Sequence, residues 1–142
     1  MVISEADLSY AAGLFDGEGW IGINKNKGKV SPQHTLVCSV GMTDNQATDF
    51  LHNVFGGHYG KFKSSRAGHR DSYRWGITAQ EAVLFLTAIL PYLKVKRFQA
   101  WLGLEFMAQK TGTSRVAVSV EELALREGFH LALQNAKNLQ GA

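Results

Sequence analysis

The sequence has almost no cysteine, little proline and no long apolar run. Its single cysteine, Cys38, cannot form an internal disulfide, and no zinc-ligand spacing surrounds it, so we expect it to be a small buried residue. No stretch approaches the roughly 20 apolar residues of a membrane-spanning helix, and the N-terminus lacks a basic region followed by an apolar run. We therefore expect no membrane segment, no signal peptide and an intracellular, reducing setting.

Linkers and low-complexity segments are also absent. Of the 142 residues, 45% are hydrophobic and 19% are charged, which is typical of a folded globular chain. Such a length can bury a core without disulfides or structural metals. The sequence therefore predicts a single domain over residues 1–142, with a core over about 5–110 and a C-terminal helix over about 119–140.

The net charge is only +3, but it is unevenly distributed. Between Lys25 and Arg97 there are eleven basic residues against four acidic ones, a local excess of +7, whereas the rest of the chain has a net charge of −4. A basic middle between acidic ends favours one positive surface that binds a polyanion. The alternative is an ordinary solvated surface.

Hydrophobic periodicity predicts an α+β fold in the order αββαββα, with further helices appended. Apolar residues alternate with small, mostly polar ones along residues 34–42, which indicates a half-buried strand. We expect four antiparallel strands with helices on one face and a free opposite face. The strands are predicted at 20–29, 34–42, 58–64 and 72–78, and the helices at about 4–16, 44–55, 80–90, 95–109 and 119–139.

The free face of this sheet is predicted to carry amide, hydroxyl and basic groups, which read base edges and phosphates. RNA-binding sheets generally need exposed aromatic rings, and Phe62, Tyr73 and Trp75 are expected to point inward. Trp20 is open to either interpretation, as a residue that faces nucleic acid or as part of the core. Double-stranded DNA is therefore the expected partner. The predicted DNA-binding residues are Asn24, Asn26, Thr35, Ser39, Lys61, Lys63, Arg70, Ser72 and Arg74.

The first helix ends in two acidic residues set between glycines. Gly13 and Gly17 are four residues apart, so they lie on one helical face and remove the side chains that would keep a second helix away. Asp16 and Glu18 follow at the end of this face. A carboxylate at a point of close helix contact suggests a metal ion.

Residues 11–19, Ala-Ala-Gly-Leu-Phe-Asp-Gly-Glu-Gly, resemble the nine-residue signature of the LAGLIDADG homing endonucleases. The αββαββα order and the segment Pro-Tyr-Leu-Lys-Val-Lys-Arg at 91–97 fit the same family, so the similarity covers about residues 5–110. The resemblance implies two signature helices packed against each other, each with a metal-binding acid. Because this chain has one copy of the motif, it implies a homodimer. The expected dimer-interface residues are Ala12, Gly13, Asp16 and Gly17.

The resemblance also implies the catalytic residues Glu18, Lys96 and Asp44. Glu18, with Gly17 beside it, occupies the metal-binding position, where aspartate is commoner; the expected ion is Mg²⁺, Mn²⁺ can replace it, and Ca²⁺ can bind without supporting cleavage. Lys96 matches a basic residue near the scissile phosphate, although it also fits a surface lysine at a helix start. Asp44 matches a position that orients water, and it fits the N-cap of the second helix equally well.

The function that the resemblance implies is a metal-dependent, staggered double-strand break in a pseudo-palindromic DNA site. It further implies an intron, intein or phage setting, in a bacterial cytoplasm or an organelle. The alternatives are an RNA maturase that assists intron splicing, an inactive DNA-binding regulator on the same fold, and a dimerisation module. The presence of Glu18 and Lys96 argues against the regulator, and the basic middle segment argues against the dimerisation module.

Overall fold

Helices and strand pairs alternate along the chain in the computed structural model, which describes residues 2–113 and 115–141. The four strands form one antiparallel sheet in the order β1-β2-β4-β3. The predicted α+β class and αββαββα order are therefore confirmed. The elements are α1 (Glu5–Glu18), β1 (Gly19–Asn26), β2 (Gln33–Met42), α2 (Asn45–Phe55), β3 (His58–Phe62), β4 (Ser72–Thr78), α3 (Ala79–Ile89), a 3-10 turn (Leu90–Tyr92), α4 (Arg97–Gln109) and α5 (Val120–Gly141).

Helix α1 ends two residues later than the sequence predicts. It begins after Ser4, whose hydroxyl accepts a hydrogen bond from the Asp7 backbone N–H at 3.1 Å, and it continues through Gly17 to end at Glu18. Gly19 is the C-cap, and its N–H donates to the Phe15 carbonyl. The predicted end at about residue 16, with Gly17 and Gly19 as the terminating residues, is therefore wrong for Gly17 and correct for Gly19. A glycine lowers helix propensity by only about 1 kcal/mol, and neighbouring contacts can offset that cost.

The core lies between the sheet and the helices that cover its inner face. Leu36, Cys38 and Val40 point inward from β2 and are at most 1% exposed, as their alternation predicts. The Phe85 ring of α3 packs edge-on against Trp75 of β4, with ring centroids 5.1 Å apart. Burial raises the pKa of the Cys38 thiol, so this group is an inert packing residue.

The register of strand β3 reverses two predicted orientations. Lys61 pairs with Tyr73 and therefore shares the helix-covered face, whereas Phe62 pairs with Ser72 on the open face, where its side chain is 48% exposed. The prediction that Lys61 points outward and Phe62 inward is wrong. Tyr59 and Phe62 are three positions apart in the strand, so alternation can turn only one of the two rings inward, and the register selects Tyr59.

Helix α5 packs on α4 and along β1. The Phe129 ring contacts Phe106 of α4, and Glu127 forms an ion pair with Lys25 of β1 at 3.0 Å. The buried Arg126 side chain bonds Glu122 at 2.8 Å and the Thr111 carbonyl. These contacts attach the C-terminal helix to the sheet. Among the described residues, no helix is long and apolar enough to cross a membrane.

Protonation of His34 is expected to destabilise the protein. The side chain is 3% exposed in β2, and burial, followed by the charge of Arg126, lowers its pKa below the usual 6.5. The unfolded chain therefore binds this proton more readily, so stability is complete above about pH 6.5 and falls as the pH drops through the lowered pKa. We expect His34→Gln to lose less unfolding free energy between about pH 7.5 and about pH 5.5 than the wild type.

Urea denaturation at both pH values measures this difference. His69→Gln, in the exposed loop between β3 and β4, is the control. It should lose as much unfolding free energy between the two pH values as the wild type does. An equal loss in His34→Gln and in the wild type would contradict the prediction.

Candidate active site and nucleic-acid interface

The face of the sheet opposite the helices carries most of the predicted DNA-binding side chains. The strand pairings place Asn24 opposite Thr35 and Gly41 opposite Arg74 on this open face. Lys63 and Arg70 lie in the exposed loop between β3 and β4, whereas Lys61 is on the other face. The predicted residues that share the open face are Asn24, Asn26, Thr35, Ser39, Ser72 and Arg74.

Trp20 belongs to the open face, not to the core. Because Ile21 and Ile23 are buried, alternation turns Trp20 outward, where it pairs with Ser39 and is 42% exposed. Its ring covers Gly22, at which a Cβ atom would clash with the indole. The Lys137 ammonium of α5 is 4.5 Å from the ring centroid. Alternation counted from Ile21 is the sequence signal that identifies this orientation.

Glu18, the last residue of α1, lines an open groove of about 470 Å³. This groove joins the end of the signature helix to the open face, because two predicted DNA-binding residues line it as well. In the part of the chain that the structure describes, no basic side chain forms an ion pair with the Glu18 carboxylate. The carboxylate is therefore available to a ligand. The other lining residues are Gly41, Met42, Thr43, Ser72 and Arg74.

Asp16 has a structural role within its own chain. Its two carboxylate oxygens accept hydrogen bonds from the backbone N–H groups of Lys94 at 2.8 Å and Lys96 at 2.9 Å. These bonds hold the segment that precedes α4 against the end of α1. Helix α4 begins at Arg97, two residues later than the predicted Val95.

Lys96 lies beside the same helix end. Its ammonium donates a 2.6 Å hydrogen bond to the Asp16 carbonyl, and a cation at a helix C-terminus is favourable. Lys96 is the N-cap residue of α4, as the alternative interpretation expects, and its side chain is half-buried. The contact places a positive charge at the end of the helix that carries Glu18, while contact with a phosphate stays a prediction.

Asp44 is the N-cap of α2, as one of its two interpretations expects. Its carboxylate accepts a hydrogen bond from the Gln46 backbone N–H at 2.7 Å. Asp44 itself does not line the Glu18 groove, although its neighbour Thr43 does. The cap uses one carboxylate oxygen, and the role in orienting water stays a prediction.

The exposed side of α1 carries glycines on two successive turns, with Tyr10 on the turn before them. Gly13 and Gly17 are exposed, and a Cβ atom at either position would have no neighbour within 4 Å among the described residues. Ala12, by contrast, is 0% exposed and packs in the core of its own chain. The prediction of a dimer contact by Ala12 is therefore wrong, because helical periodicity turns its side chain toward the sheet and the glycines away from it.

A single chain offers few side chains that could bind a metal ion in the described residues. The described residues contain no group of three or more histidine, cysteine, aspartate or glutamate side chains that could hold a metal ion. Glu18 at the groove provides one oxygen-donor side chain, of the type that Mg²⁺ accepts along with waters and substrate phosphates. The described residues of one chain therefore offer an open oxygen donor at the groove and no closed metal site.

Loss of the Asp16 carboxylate is expected to destabilise the fold. Hydrogen bonds to a charged group each contribute about 1.5–3 kcal/mol, so Asp16→Ala should lower the unfolding free energy by about 2 kcal/mol after allowance for partial exposure. Asp16→Asn should lose less unfolding free energy than Asp16→Ala, because one acceptor oxygen remains. Chemical denaturation measures both variants, and an unchanged midpoint for Asp16→Ala would refute the structural role.

The architecture and the acidic helix end together define a known class of fold. No protein-family model matches the chain, and neither does any curated protein sequence. Solved structures do match: the chain has the fold of the LAGLIDADG homing endonucleases.

Two of these structures cover most of both chains. The homing endonuclease I-CvuI, solved with a DNA target, superimposes with a TM-score of 0.69 at 17% identity over 97% of this chain and 96% of its own. The archaeal intron-encoded I-Vdi141I, solved with DNA, superimposes with a TM-score of 0.71 at 13% identity over 93% of this chain and 84% of its own. I-GzeII superimposes with a TM-score of 0.63 at 14% identity over 89% of this chain but only 43% of its own. This chain therefore corresponds to somewhat less than half of that protein.

Proposed function

We propose that this protein is a site-specific DNA endonuclease that acts as a homodimer. The observation that carries the proposal is the groove in which Glu18, from the signature helix, meets Ser72 and Arg74 of the open sheet face. A carboxylate beside basic and hydroxyl side chains suits cleavage of a phosphodiester that the same face binds. The fold shared with DNA-bound homing endonucleases supports this function.

The homodimer brings two Glu18 carboxylates together. The bare backbone at Gly13 and Gly17 lets the α1 helix of a second copy approach closely, since no side chain intervenes. A two-fold axis beside this helix end places one carboxylate from each copy near the axis. The paired site then has twice the acidic donors of the single chain.

A divalent ion, Mg²⁺ in the first instance, is the proposed cofactor. When bound, it supplies a Lewis acid for the phosphodiester oxygens and lowers the pKa of bound water. Glu18 would hold this ion, with the Gly17 backbone next to it, and Lys96 would add positive charge for the phosphate. I-CvuI was solved with DNA in the presence of Mg²⁺ in one structure and of Ca²⁺ in another, which supports a divalent ion without selecting between the two.

The open face is the proposed DNA surface. Asn24, Thr35 and Arg74 offer the donors and acceptors that read base edges, and the β3–β4 loop adds Lys63 and Arg70 for phosphates. A two-fold dimer repeats each contact, so the preferred site is pseudo-palindromic. Phe62 and Trp20 also point outward, so the open face does carry exposed aromatic rings of the kind that RNA-binding sheets use. The preference for DNA therefore depends on the Glu18 groove and the shared fold.

Selection from a random duplex library tests the proposal. The purified protein should enrich one pseudo-palindromic site in Ca²⁺ and cut that site in Mg²⁺ or Mn²⁺, leaving staggered ends that sequencing of the products reveals. A single-stranded RNA copy of the selected site serves as the competitor. Failure to enrich any duplex, or cleavage that persists in excess chelator, would overturn the proposal.

A further inference from the structure

An apolar hollow of about 260 Å³ lies on the open face of the sheet, beside the Glu18 groove, and Arg74 lines both spaces. The predicted DNA-binding side chains on the same face are amide, hydroxyl and basic groups. No part of the proposed catalysis uses the hollow. The residues that line it include Ser39, His58, Gly60, Phe62, Arg74 and Gly76.

The hollow exists because two glycines face outward between larger side chains. The pairing of β3 with β4 places His58 opposite Gly76 and Arg74 opposite Gly60. Neither glycine has a side chain to fill the space. The Phe62 ring stands at one side, since a Cβ atom at Gly60 would lie 3.6 Å from its edge. The result is an open apolar recess with one aromatic wall.

Arg74 connects the hollow with the Glu18 groove. Its guanidinium carbon lies 4.7 Å from the centroid of the Phe62 ring, and the residue lines both spaces. A guanidinium over an aromatic face is attracted by the ring quadrupole, so Phe62 limits the orientations of Arg74. The apolar recess is therefore coupled to a cation on the proposed DNA surface.

We infer that this hollow reads a thymine, with the C5 methyl group seated against Phe62 and Arg74 contacting the neighbouring base or phosphate. The inference rests on the proposed function and adds a specificity determinant to it. In the major groove only the A·T pair presents a methyl group, and phenylalanine is one of the side chains that contacts it. A polar base edge would lose hydrogen bonds against these apolar walls.

The surroundings favour DNA as the occupant over an apolar protein segment. The adjacent loop carries the basic residues Lys63, Arg66 and Arg70, and Arg74 borders the hollow itself. A polyanion fits this charge, whereas an apolar segment does not. Continuity with the Glu18 groove also places the hollow on the path of a duplex bound at the catalytic centre.

Selection profiles of the wild type and Phe62→Ala test the inference. The wild-type profile should contain thymine at two positions related by the two-fold axis, and the variant should lose that preference while keeping the other positions. Phe98→Ala is the matched control, because this phenylalanine is similarly exposed, at 55%, but lies on α4 and not on the open face. The control should keep the thymine preference.

Deoxyuridine gives a second readout, because it differs from thymidine only by the missing methyl group. Its introduction at the two positions should weaken wild-type binding about fourfold for each, the effect of exposing one methyl-sized apolar group. Phe62→Ala should bind both duplexes equally. Gly76→Ala should also lower the preference, because its Cβ atom would fill the floor at ordinary contact distances of 3.6 Å and 3.8 Å without disturbing the strand.

The two possible failures are distinct. If the wild type enriches a site but Phe62→Ala keeps the thymine preference, or if deoxyuridine has no effect on wild-type binding, the hollow does not read thymine and the endonuclease proposal stands. If the wild type enriches no duplex, the proposed function fails and this inference fails with it.

Discussion

Gly13→Leu is expected to produce a stable but monomeric protein that no longer cleaves DNA. A Cβ atom at Gly13 has no neighbour within 4 Å in the described part of the chain, so the larger side chain fits the single subunit. Replacing a glycine inside a helix should raise the unfolding free energy by about 0.5–1 kcal/mol. In the dimer the same side chain would separate two helices that must approach closely.

The expected dimerisation defect is large. Each interface would contain two added leucines, and overpacking costs about 1–3 kcal/mol for each, so the dimer dissociation constant should rise at least about thirtyfold. Sedimentation velocity at micromolar concentration measures the association state, and thermal or chemical denaturation measures the stability of the subunit. Cleavage of the selected site should disappear together with the dimer.

Gly128→Leu is the matched control for this experiment. Gly128 lies within α5 and is exposed, and a Cβ atom at this position would likewise have no described neighbour within 4 Å. Its replacement should stabilise the helix in the same way without affecting association. A dimer that survives Gly13→Leu would place the two-fold contact elsewhere, and a loss of folding would show that the exposed side of α1 is needed within the chain.

Glu18→Gln is expected to abolish cleavage while binding to the selected site persists. The change keeps the size of the side chain but removes the charge that the divalent ion requires. A metal ion contributes several kcal/mol of transition-state stabilisation, so we expect the cleavage rate to fall at least about a thousandfold. Because no described basic side chain forms an ion pair with Glu18, the folding stability should change little.

Three measurements separate the possible explanations for Glu18→Gln. Single-turnover cleavage reports the chemical step, titration of the duplex reports binding, and denaturation reports folding. Glu121→Gln, which removes an exposed charge from the first turn of α5, is the control and should cleave normally. Wild-type cleavage by Glu18→Gln would remove this carboxylate from the mechanism, while weakened DNA binding without a cleavage defect would assign it to recognition.

The periodic elements of this protein were predictable because their signals are local. Residues 72–78 form β4 as expected, and the alternation of β2 correctly separates its buried from its outward residues. The second helix begins after Asp44, as the capping signal indicates. Helix ends were less predictable, since α1 continues two residues past its predicted end and α4 begins two residues after its predicted start.

The candidate site likewise has one part that the sequence predicted and one part that it did not. The small-residue helix and its terminal carboxylate follow from the spacing of Gly13, Gly17 and Glu18, because 3.6 residues per turn place the two glycines on one face. The structural role of Asp16 could not be inferred from that spacing. Its partners are Lys94 and Lys96, about eighty positions away, and only the folded chain brings their N–H groups to the end of α1.

The sequence by itself determined the alternation of helices and strands, the bare helical face and the basic middle of the chain, since each depends on neighbouring residues. The tertiary structure decided which ring of β3 faces outward, that Ala12 is buried, and that Glu18 and Arg74 share one groove. Strand register and groove lining depend on pairing between distant segments. A one-residue change of register turns every side chain to the other face, and local periodicity cannot fix that choice.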